Sequence, residues 1–301
     1  MTHLHSLTRR DFLGCTAMAG TLGLMNRTAS AGELPPYYQD RGWQIGFWTR
    51  PWASLDYRAG FDAIVATGCK YVGLTGAKTR TGRVIGMETT LEEAAEVGKE
   101  ARQRGLTITT VYGGGVALEK GTAGLRKLID NCEAAGGWSV LLSNVGNEKT
   151  YETCCRTIAE CGDYAARKQM VIVLKPHGGT TGTGPQLRDA VQRVHHKNFT
   201  VMYDPGNIFY YSDGKIDPVA DCEAVLGLVT GISVKDFKAP KEVMLTPGTG
   251  QVGFVALMKK LRRGGFTHGP LLIETLAPGD AQQTLAEANK AKEFVERLVA
   301  A

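Results

Sequence analysis

Short runs of apolar and β-branched residues recur along the chain from residue 43 onward, and longer stretches with helical spacing lie between most of them. Eight runs are predicted as strands, at residues 44–48, 71–75, 107–112, 139–143, 171–175, 200–204, 231–235 and 270–274. Because these runs are short and largely apolar, they are typical of parallel strands that are buried on both faces.

The stretches between the runs have the pattern of amphipathic helices. Thr90 and Glu93 form a capping box before one such helix, and Gly105 ends it. Further helices are predicted at 124–135, 150–168, 185–195, 254–263 and 281–299. Strands that alternate with helices in this way predict an α/β fold, a (β/α)8 TIM barrel in a single domain.

An open, doubly wound sheet is the alternative to a closed barrel. Such a sheet usually carries a glycine-rich turn after its first strand, and residues 47–51 contain no glycine. The sequence therefore favours the barrel and indicates no nucleotide cofactor. Residues 113–115 are three consecutive glycines after the third strand, and we interpret them as a loop that makes room for a substrate.

The composition indicates a globular protein and argues against a nucleic-acid-binding tract. Apolar residues make up 43% of the chain and charged residues 22%, which is the balance of a globular protein. The formal net charge is +5, but no run of lysine or arginine is long enough for a nucleic-acid tract. Six cysteines lie beyond residue 31 without a CxxC pair, so we predict that they are packing residues or weakly exposed thiols.

The first 31 residues have the parts of an export signal in the right order. Arg9 and Arg10 form a twin-arginine pair, a weakly apolar stretch covers residues 12–25, and an Ala-Ser-Ala cleavage signature follows at 29–31. The apolar stretch is too short and too rich in glycine for a permanent membrane anchor. The sequence therefore predicts a twin-arginine signal peptide and a mature domain, residues 32–301, that is exported to the periplasm or another extracytoplasmic compartment.

The later strands end in polar residues, and the active site of a barrel lies at the carboxyl ends of its strands. Side chains two positions apart share one face of a strand, so Lys175 lies with His177, and Ser233 lies with Lys235. If these faces point inward, the pocket holds a histidine and four charged candidates for catalysis: His177, Lys175, Asp204, Lys235 and Glu274. Asp236 would then point outward or cap the following loop.

Three of the candidates also have a structural interpretation. Lys175 would be an ion-pair partner of Asp204 or Glu274, and His177 would hydrogen-bond the backbone. Asp204 closes a buried strand and needs a partner there, although the Asp-Pro-Gly-Asn run that ends at Asn207 has turn chemistry.

Two aromatic residues, Trp48 and Tyr112, end the first and third strands. They either form a wall on which a sugar stacks or plug the barrel. With His177 and Asn207 they are the candidate substrate-binding residues.

The last four strand ends resemble those of the xylose isomerase-like TIM barrels, a superfamily of sugar isomerases, ketose 3-epimerases and endonuclease IV relatives. The resemblance rests on Asp-Pro-Gly-Asn at 204–207, Val-Lys-Asp at 234–236, Pro-Gly-Thr-Gly-Gln-Val-Gly-Phe at 247–254, and a final apolar strand that ends in Glu274. It covers the chain from about residue 46 onward, and it implies the same barrel fold.

Members of this superfamily typically bind a divalent metal through Glu, Asp, His and Glu at the ends of strands five to eight. Asp204 and Glu274 match, whereas Lys175 stands at the position of the first Glu and Ser233 at that of the His. A protonated ammonium cannot ligate a metal, and His177 is the alternative nitrogen ligand. The resemblance therefore implies either a Mn, Mg or Zn site built from Asp204, Glu274 and His177, or a metal-free site in which lysines supply the positive charge.

The resemblance also implies a sugar or keto-sugar isomerase or epimerase. A carboxylate, Glu274 or Asp204, would abstract a proton beside a carbonyl, and a cation would stabilise the enediolate. A lyase acting on a 3-keto-sugar or keto-glycoside shares this first step, and a non-catalytic carbohydrate-binding barrel would keep the fold with a decayed site. The expected partner is a small carbohydrate and not a nucleic acid, and the sequence indicates no oligomeric state.

Overall fold

The computed structural model describes residues 42–300, so the predicted signal peptide lies outside the described residues. Eight parallel strands close into a barrel in sequence order, and β8 pairs with β1. Their bounds are β1 Trp43–Trp48, β2 Tyr71–Leu74, β3 Thr107–Gly115, β4 Ser139–Asn144, β5 Val171–Leu174, β6 Phe199–Tyr203, β7 Val229–Val234 and β8 Gly269–Ile273. The predicted (β/α)8 barrel is confirmed.

Helices surround the strands: α1 Tyr57–Ala66, α2 Leu91–Gln103, α3 Gly121–Ala134, α4 Tyr151–Arg167, α5 Gly184–Val194, α6 Pro205–Tyr211, α7 Pro218–Asp221, α8 Phe254–Arg263 and α9 Ala281–Ala300. The predicted helices are all present, and the Thr90–Glu93 capping box is formed. The sequence did not predict α1, α6 or α7. Within residues 42–300, no helix combines the length and apolarity that a membrane span requires.

Two apolar layers hold the barrel together. One lies between the strands and the helices, and it contains the six cysteines of the described chain, which are buried and unpaired as expected for packing residues. The other, which we call the interior layer, fills the inside of the barrel with seven buried side chains: Trp48, Trp138, Leu141, Val171, Val173, Met202 and Leu272. The interior layer supports the polar residues at the carboxyl ends of the strands.

Candidate active site

Three charged residues each lie two positions after a residue of the interior layer in the sequence. Lys175, Asp204 and Glu274 come after Val173, Met202 and Leu272 respectively. Because side chains two apart share a face, the charged groups also point into the barrel. The structure therefore brings together the four residues predicted for catalysis, none of them more than 4% exposed: Lys175, Asp204, Lys235 and Glu274.

These four side chains form a closed set of ion pairs. Lys175 Nζ lies 2.8 Å from Asp204 Oδ2 and also contacts Glu274 Oε2. Lys235 Nζ lies 2.6 Å from Glu274 Oε1 and 3.3 Å from Asp204 Oδ2. Each ammonium thus bridges both carboxylates, which offsets the cost of burying four charges away from water.

Glu274 also receives two polar contacts, one from a residue just beyond the first strand and one from the seventh strand. Arg50, two residues after the end of β1, donates from Nη1 to Glu274 Oε1 at 2.6 Å. Ser233 donates its hydroxyl to Oε2, and that hydroxyl accepts a hydrogen bond from Trp48 Nε1 at 3.0 Å. Sequence reasoning missed Arg50, although a cation just beyond a strand end was the available signal.

The Asp-Pro-Gly-Asn run begins helix α6 instead of forming a turn. Asp204 is its N-cap, and Oδ1 accepts from the Asn207 amide at 2.9 Å. The Asn207 side chain donates to the Pro176 carbonyl at 2.7 Å and accepts from Lys235 Nζ at 3.0 Å. Asn207 therefore positions Lys235, and both ends of its amide are already occupied, so the structure gives no support to its predicted contact with substrate.

Gly206 allows α6 to begin directly against the end of β7. A Cβ atom at this position would lie 2.6 Å from Cγ of Lys235 and 2.8 Å from its carbonyl oxygen. Both distances are too short for any larger residue without displacing Lys235. The glycine therefore helps to determine where the Lys235 ammonium lies.

His177 lies at the edge of the ion-pair set and not within it. Its ring is half-buried and packs against Tyr211 with ring centroids 5.3 Å apart. Its Nδ1 atom has no hydrogen-bond partner in the described part of the chain. Burial first, and then the charges of Lys175 and Lys235, lower the pKa of His177 to about 4. At neutral pH the ring is therefore uncharged, with a free polar atom for a ligand.

The charged groups of the ion-pair set shift one another's pKa values. Burial acts to raise the pKa of Glu274, but Lys175, Lys235 and Arg50 outweigh it and hold that pKa well below its usual range. For Lys175, burial opposes the charge, and the two carboxylates outweigh it and raise the pKa. For Lys235, burial prevails and lowers the pKa. Glu274 and Lys175 are therefore ionised at neutral pH.

A cavity of about 360 Å³ opens above the ion-pair set at the carboxyl ends of the strands. Its lining includes Lys175, Glu274, His177 and Tyr112. Trp48 also lines the cavity, but this ring is 1% exposed and belongs to the interior layer. Trp48 is thus mainly a plug, whereas the half-buried Tyr112 ring forms a wall.

The glycines at 113–115 belong to the end of β3, and the space beside them is taken by protein. A Cβ at Gly113 would meet Leu128 at 2.3 Å and one at Gly114 would meet Arg83 at 3.0 Å, so the prediction of room for a substrate is wrong. Asp236 caps the loop after β7, as expected, by accepting from backbone amides that include Gly248 and Gly250.

The residues present do not fit a divalent metal. Residues 42–300 contain no group of three His, Cys, Asp or Glu side chains placed to hold one ion. Asp204 and Glu274 converge, but the two lysine ammonium groups occupy the space between them. A cation at that point would be repelled by both lysines. The predicted ligand set of Asp204, Glu274 and His177 therefore lacks support from the geometry.

Solved structures share this fold. A xylose isomerase domain protein from Planctomyces limnophilus is 21% identical, with a TM-score of 0.67 over 85% of this chain and 97% of its own. D-Psicose 3-epimerase from Clostridium cellulolyticum H10, solved with D-tagatose, is 14% identical, with a TM-score of 0.67 over 85% and 99%. A xylose isomerase-like TIM barrel protein from Mycobacterium smegmatis, in complex with magnesium, is 14% identical, with a TM-score of 0.66 over 81% and 88%. At these identities the likeness shows the fold alone.

The sequence itself gives the family. No curated protein matches the chain. The family model described as "Xylose isomerase-like TIM barrel" matches residues 61–298, which include β2 to β8 and all four residues of the ion-pair set. The chain therefore belongs to the xylose isomerase-like TIM barrel family.

Proposed function

We propose that this protein is a keto-sugar isomerase or epimerase in which Glu274 abstracts a proton from the carbon beside the carbonyl. The observation that carries the proposal is the bridging of Glu274 and Asp204 by two buried ammonium groups at the floor of a cavity. Such a floor provides a base and, beside it, positive charge for the enediolate oxygen. The solved relatives named as 3-epimerases of psicose and ribulose support a sugar as the substrate.

Glu274 is the better candidate for the base because it lines the cavity, whereas Asp204 is fully buried and caps α6. A carboxylate with a pKa well below its usual range is a weak base. The proposal therefore requires the substrate carbonyl oxygen to take over hydrogen bonds that Lys175 and Lys235 make to Glu274. This exchange raises the basicity of Glu274 and stabilises the enediolate in the same step.

In this proposal the lysine ammonium groups supply the positive charge that a metal ion supplies in other isomerases. Lys175 and Lys235 each carry one charge and three donors, and their positions are held by Asp204 and Asn207. An ammonium cannot chelate two substrate oxygens as a metal does. We therefore expect turnover that does not depend on added divalent metal.

Solvent deuterium exchange tests the proton abstraction directly. The purified protein is incubated in deuterated buffer with D-fructose, D-psicose or D-tagatose, and the carbons next to the carbonyl are followed by NMR. We expect deuterium to enter one of these positions, and Glu274→Gln to reduce the rate by about 10²-fold or more. The exposed Glu223→Gln is the matched control and should exchange at the wild-type rate. Equal exchange by Glu274→Gln and wild type would exclude Glu274 as the base.

A non-catalytic carbohydrate-binding barrel is the second candidate, and one observation favours it. Both carboxylates of the site are already neutralised by buried lysines, which is also the state of a site that has lost its chemistry. Binding of a sugar without any deuterium exchange would support this candidate. A lyase on a keto-sugar would show exchange together with an unsaturated product, so mass analysis of the product separates it from an isomerase.

A further inference from the structure

Arg83 presents a guanidinium without an acidic partner to the candidate active-site cavity. It is half-buried, and its side chain lies over the Tyr112 ring, 5.0 Å from the centroid. Nη1 makes a long contact of 3.4 Å to the Tyr112 carbonyl, and no carboxylate of the described chain forms an ion pair with this residue. Gly114 leaves the room that the guanidinium fills, since a Cβ there would lie 3.0 Å from Nη2. The guanidinium is therefore held in place while most of its donors remain unused.

The acidic residues of the neighbouring surface hollow are engaged elsewhere. Glu93 and Glu96 border a neighbouring surface hollow to which Arg83 also contributes. Glu93 accepts from the Thr90 amide in the capping box, and Glu96 pairs with Lys99. Neither carboxylate therefore neutralises the positive charge of Arg83.

Arg50 is the second cation on the cavity wall with unused donors. One of its nitrogens binds Glu274 at 2.6 Å, and the side chain remains 40% exposed. A guanidinium has five N–H donors in a planar fork, so the described contacts leave most of them available. Glu274 is itself shared with Lys175 and Lys235, and it cannot neutralise all three cations.

The cavity and its floor therefore carry an excess of positive charge. Four cations and two carboxylates meet there: Arg50, Arg83, Lys175, Lys235, Asp204 and Glu274. The formal excess is two positive charges. His177 adds none at neutral pH because its pKa is lowered to about 4, and Asp236 is turned toward the backbone amides of its own loop.

We infer that the cavity takes an anionic sugar, one that carries a carboxylate or a phosphate group, and that Arg83 together with Arg50 binds this group. Planar guanidinium groups bind carboxylate and phosphate oxygens in a bidentate fashion. The volume of about 360 Å³ lies at the small end of ligand pockets, which suits a single sugar unit. The inference rests on the proposed sugar site, and it specifies the class of substrate.

Equilibrium binding of three keto-sugars tests the inference without requiring turnover. The probes are 5-keto-D-gluconate for the carboxylate, D-fructose 6-phosphate for the phosphate, and neutral D-fructose, each titrated calorimetrically at low ionic strength. We expect at least one of the two anions to bind about tenfold more tightly than D-fructose, or better. Salt should weaken the binding of that anion and leave D-fructose unaffected.

Substitutions of Arg83 and of Arg80, in the same loop, test whether Arg83 causes the preference for the anion. Arg83→Gln should remove the preference for the anion, and Arg83→Lys should restore part of it because the charge returns without the planar fork. Arg80→Gln is the matched control, since it removes an exposed charge from the same loop and should keep the preference. Thermal melts of each variant show that the barrel is folded.

The outcomes separate this inference from the proposed function. D-Fructose binding as tightly as both anions, equal losses in Arg83→Gln and Arg80→Gln, or failure of all three probes to bind would overturn the inference. Deuterium exchange into D-fructose without any anion preference would overturn it and leave the proposed function standing. An Arg83-dependent preference without exchange in any probe would support the inference and contradict the proposed function.

Discussion

The ammonium nitrogen of Lys235 lies 2.6 Å from Oε1 of Glu274, across the neighbouring ends of β7 and β8. Lys175 approaches the other oxygen of the same carboxylate from β5. The base proposed for proton abstraction is thus enclosed by the two cations proposed to stabilise its product. Because both lysines also contact Asp204, a change in any one of the four groups alters the charge that the other three experience.

Exchange of one lysine for a carboxylate should create a metal site. Lys175→Glu would put three carboxylates from β5, β6 and β8 around one point, and like charges held together raise one another's pKa unless a cation intervenes. We expect this variant to bind Mn²⁺ or Mg²⁺ more tightly than wild type, and wild-type turnover to resist EDTA. Metal content and activity with and without chelator are the measurements.

Lys175→Met is the control for the loss of charge alone. It removes the ammonium without adding a ligand, so it should gain no metal affinity. It should also destabilise the fold by roughly 3–5 kcal/mol, because breaking a buried pair leaves charge uncompensated. A wild-type protein that retains stoichiometric metal and loses activity on chelation would contradict the prediction and would favour His177, with Asp204 and Glu274, as ligands.

The stability of the fold should depend on pH through His177. The pKa of this ring is lowered from 6.5 to about 4 in the folded chain, mainly by burial. The unfolded chain therefore binds a proton at this residue between those two values while the folded chain does not. Stability should fall as the pH is lowered from 6.5 toward 4, by at most about 1.4 kcal/mol per pH unit for one proton, and then level off.

Thermal melts between pH 7 and pH 4 measure this dependence. His177→Gln should flatten the fall relative to wild type because the titrating ring is gone. Equal slopes for His177→Gln and wild type would show that the ring does not resist protonation in the folded state.

Gly206→Ala should damage both the fold and the site. The new methyl group would lie within 2.6 Å of the Lys235 side chain and 2.8 Å of its carbonyl oxygen, and such overpacking typically costs about 1–3 kcal/mol. Activity should fall further than stability explains, because the Lys235 ammonium moves. Gly60→Ala is the control: its methyl group meets Trp52 at an ordinary 3.5 Å, and alanine in a helix should be neutral or stabilising by about 0.5–1 kcal/mol. The same small loss of stability in both variants would contradict the tight contact.

Export by the twin-arginine route is a separate proposal that rests on the sequence alone. Changing Arg9 and Arg10 together to lysine should trap the full-length precursor in the cytoplasm, whereas Arg27→Lys, outside the pair, should not. Cell fractionation and the mass of the mature protein measure the outcome, with a mature terminus expected near Gly32. Normal export of the double variant would refute the twin-arginine assignment.

The local sequence pattern was sufficient to predict the strands, the main helices and the direction in which the charged side chains point. Val173 and Lys175 share a face because of the strand period of two, and the same holds for Leu272 and Glu274. This period is a property of consecutive residues, so the sequence determines it without knowledge of the rest of the chain. Helix α6 was missed because Asp, Pro and Asn begin helices as readily as turns.

Only the tertiary structure decided which groups meet. Arg50 and Glu274 are 224 residues apart and become partners because β1 and β8 close the barrel. The glycines at 113–115 predicted empty space for a substrate, but in the folded chain the Arg83 guanidinium fills part of that space. The sequence by itself therefore determined the barrel and the candidates Lys175, Asp204, Lys235 and Glu274. Their pairing, and the exclusion of His177 from the set, depend on distances across the closed barrel, which no local pattern contains.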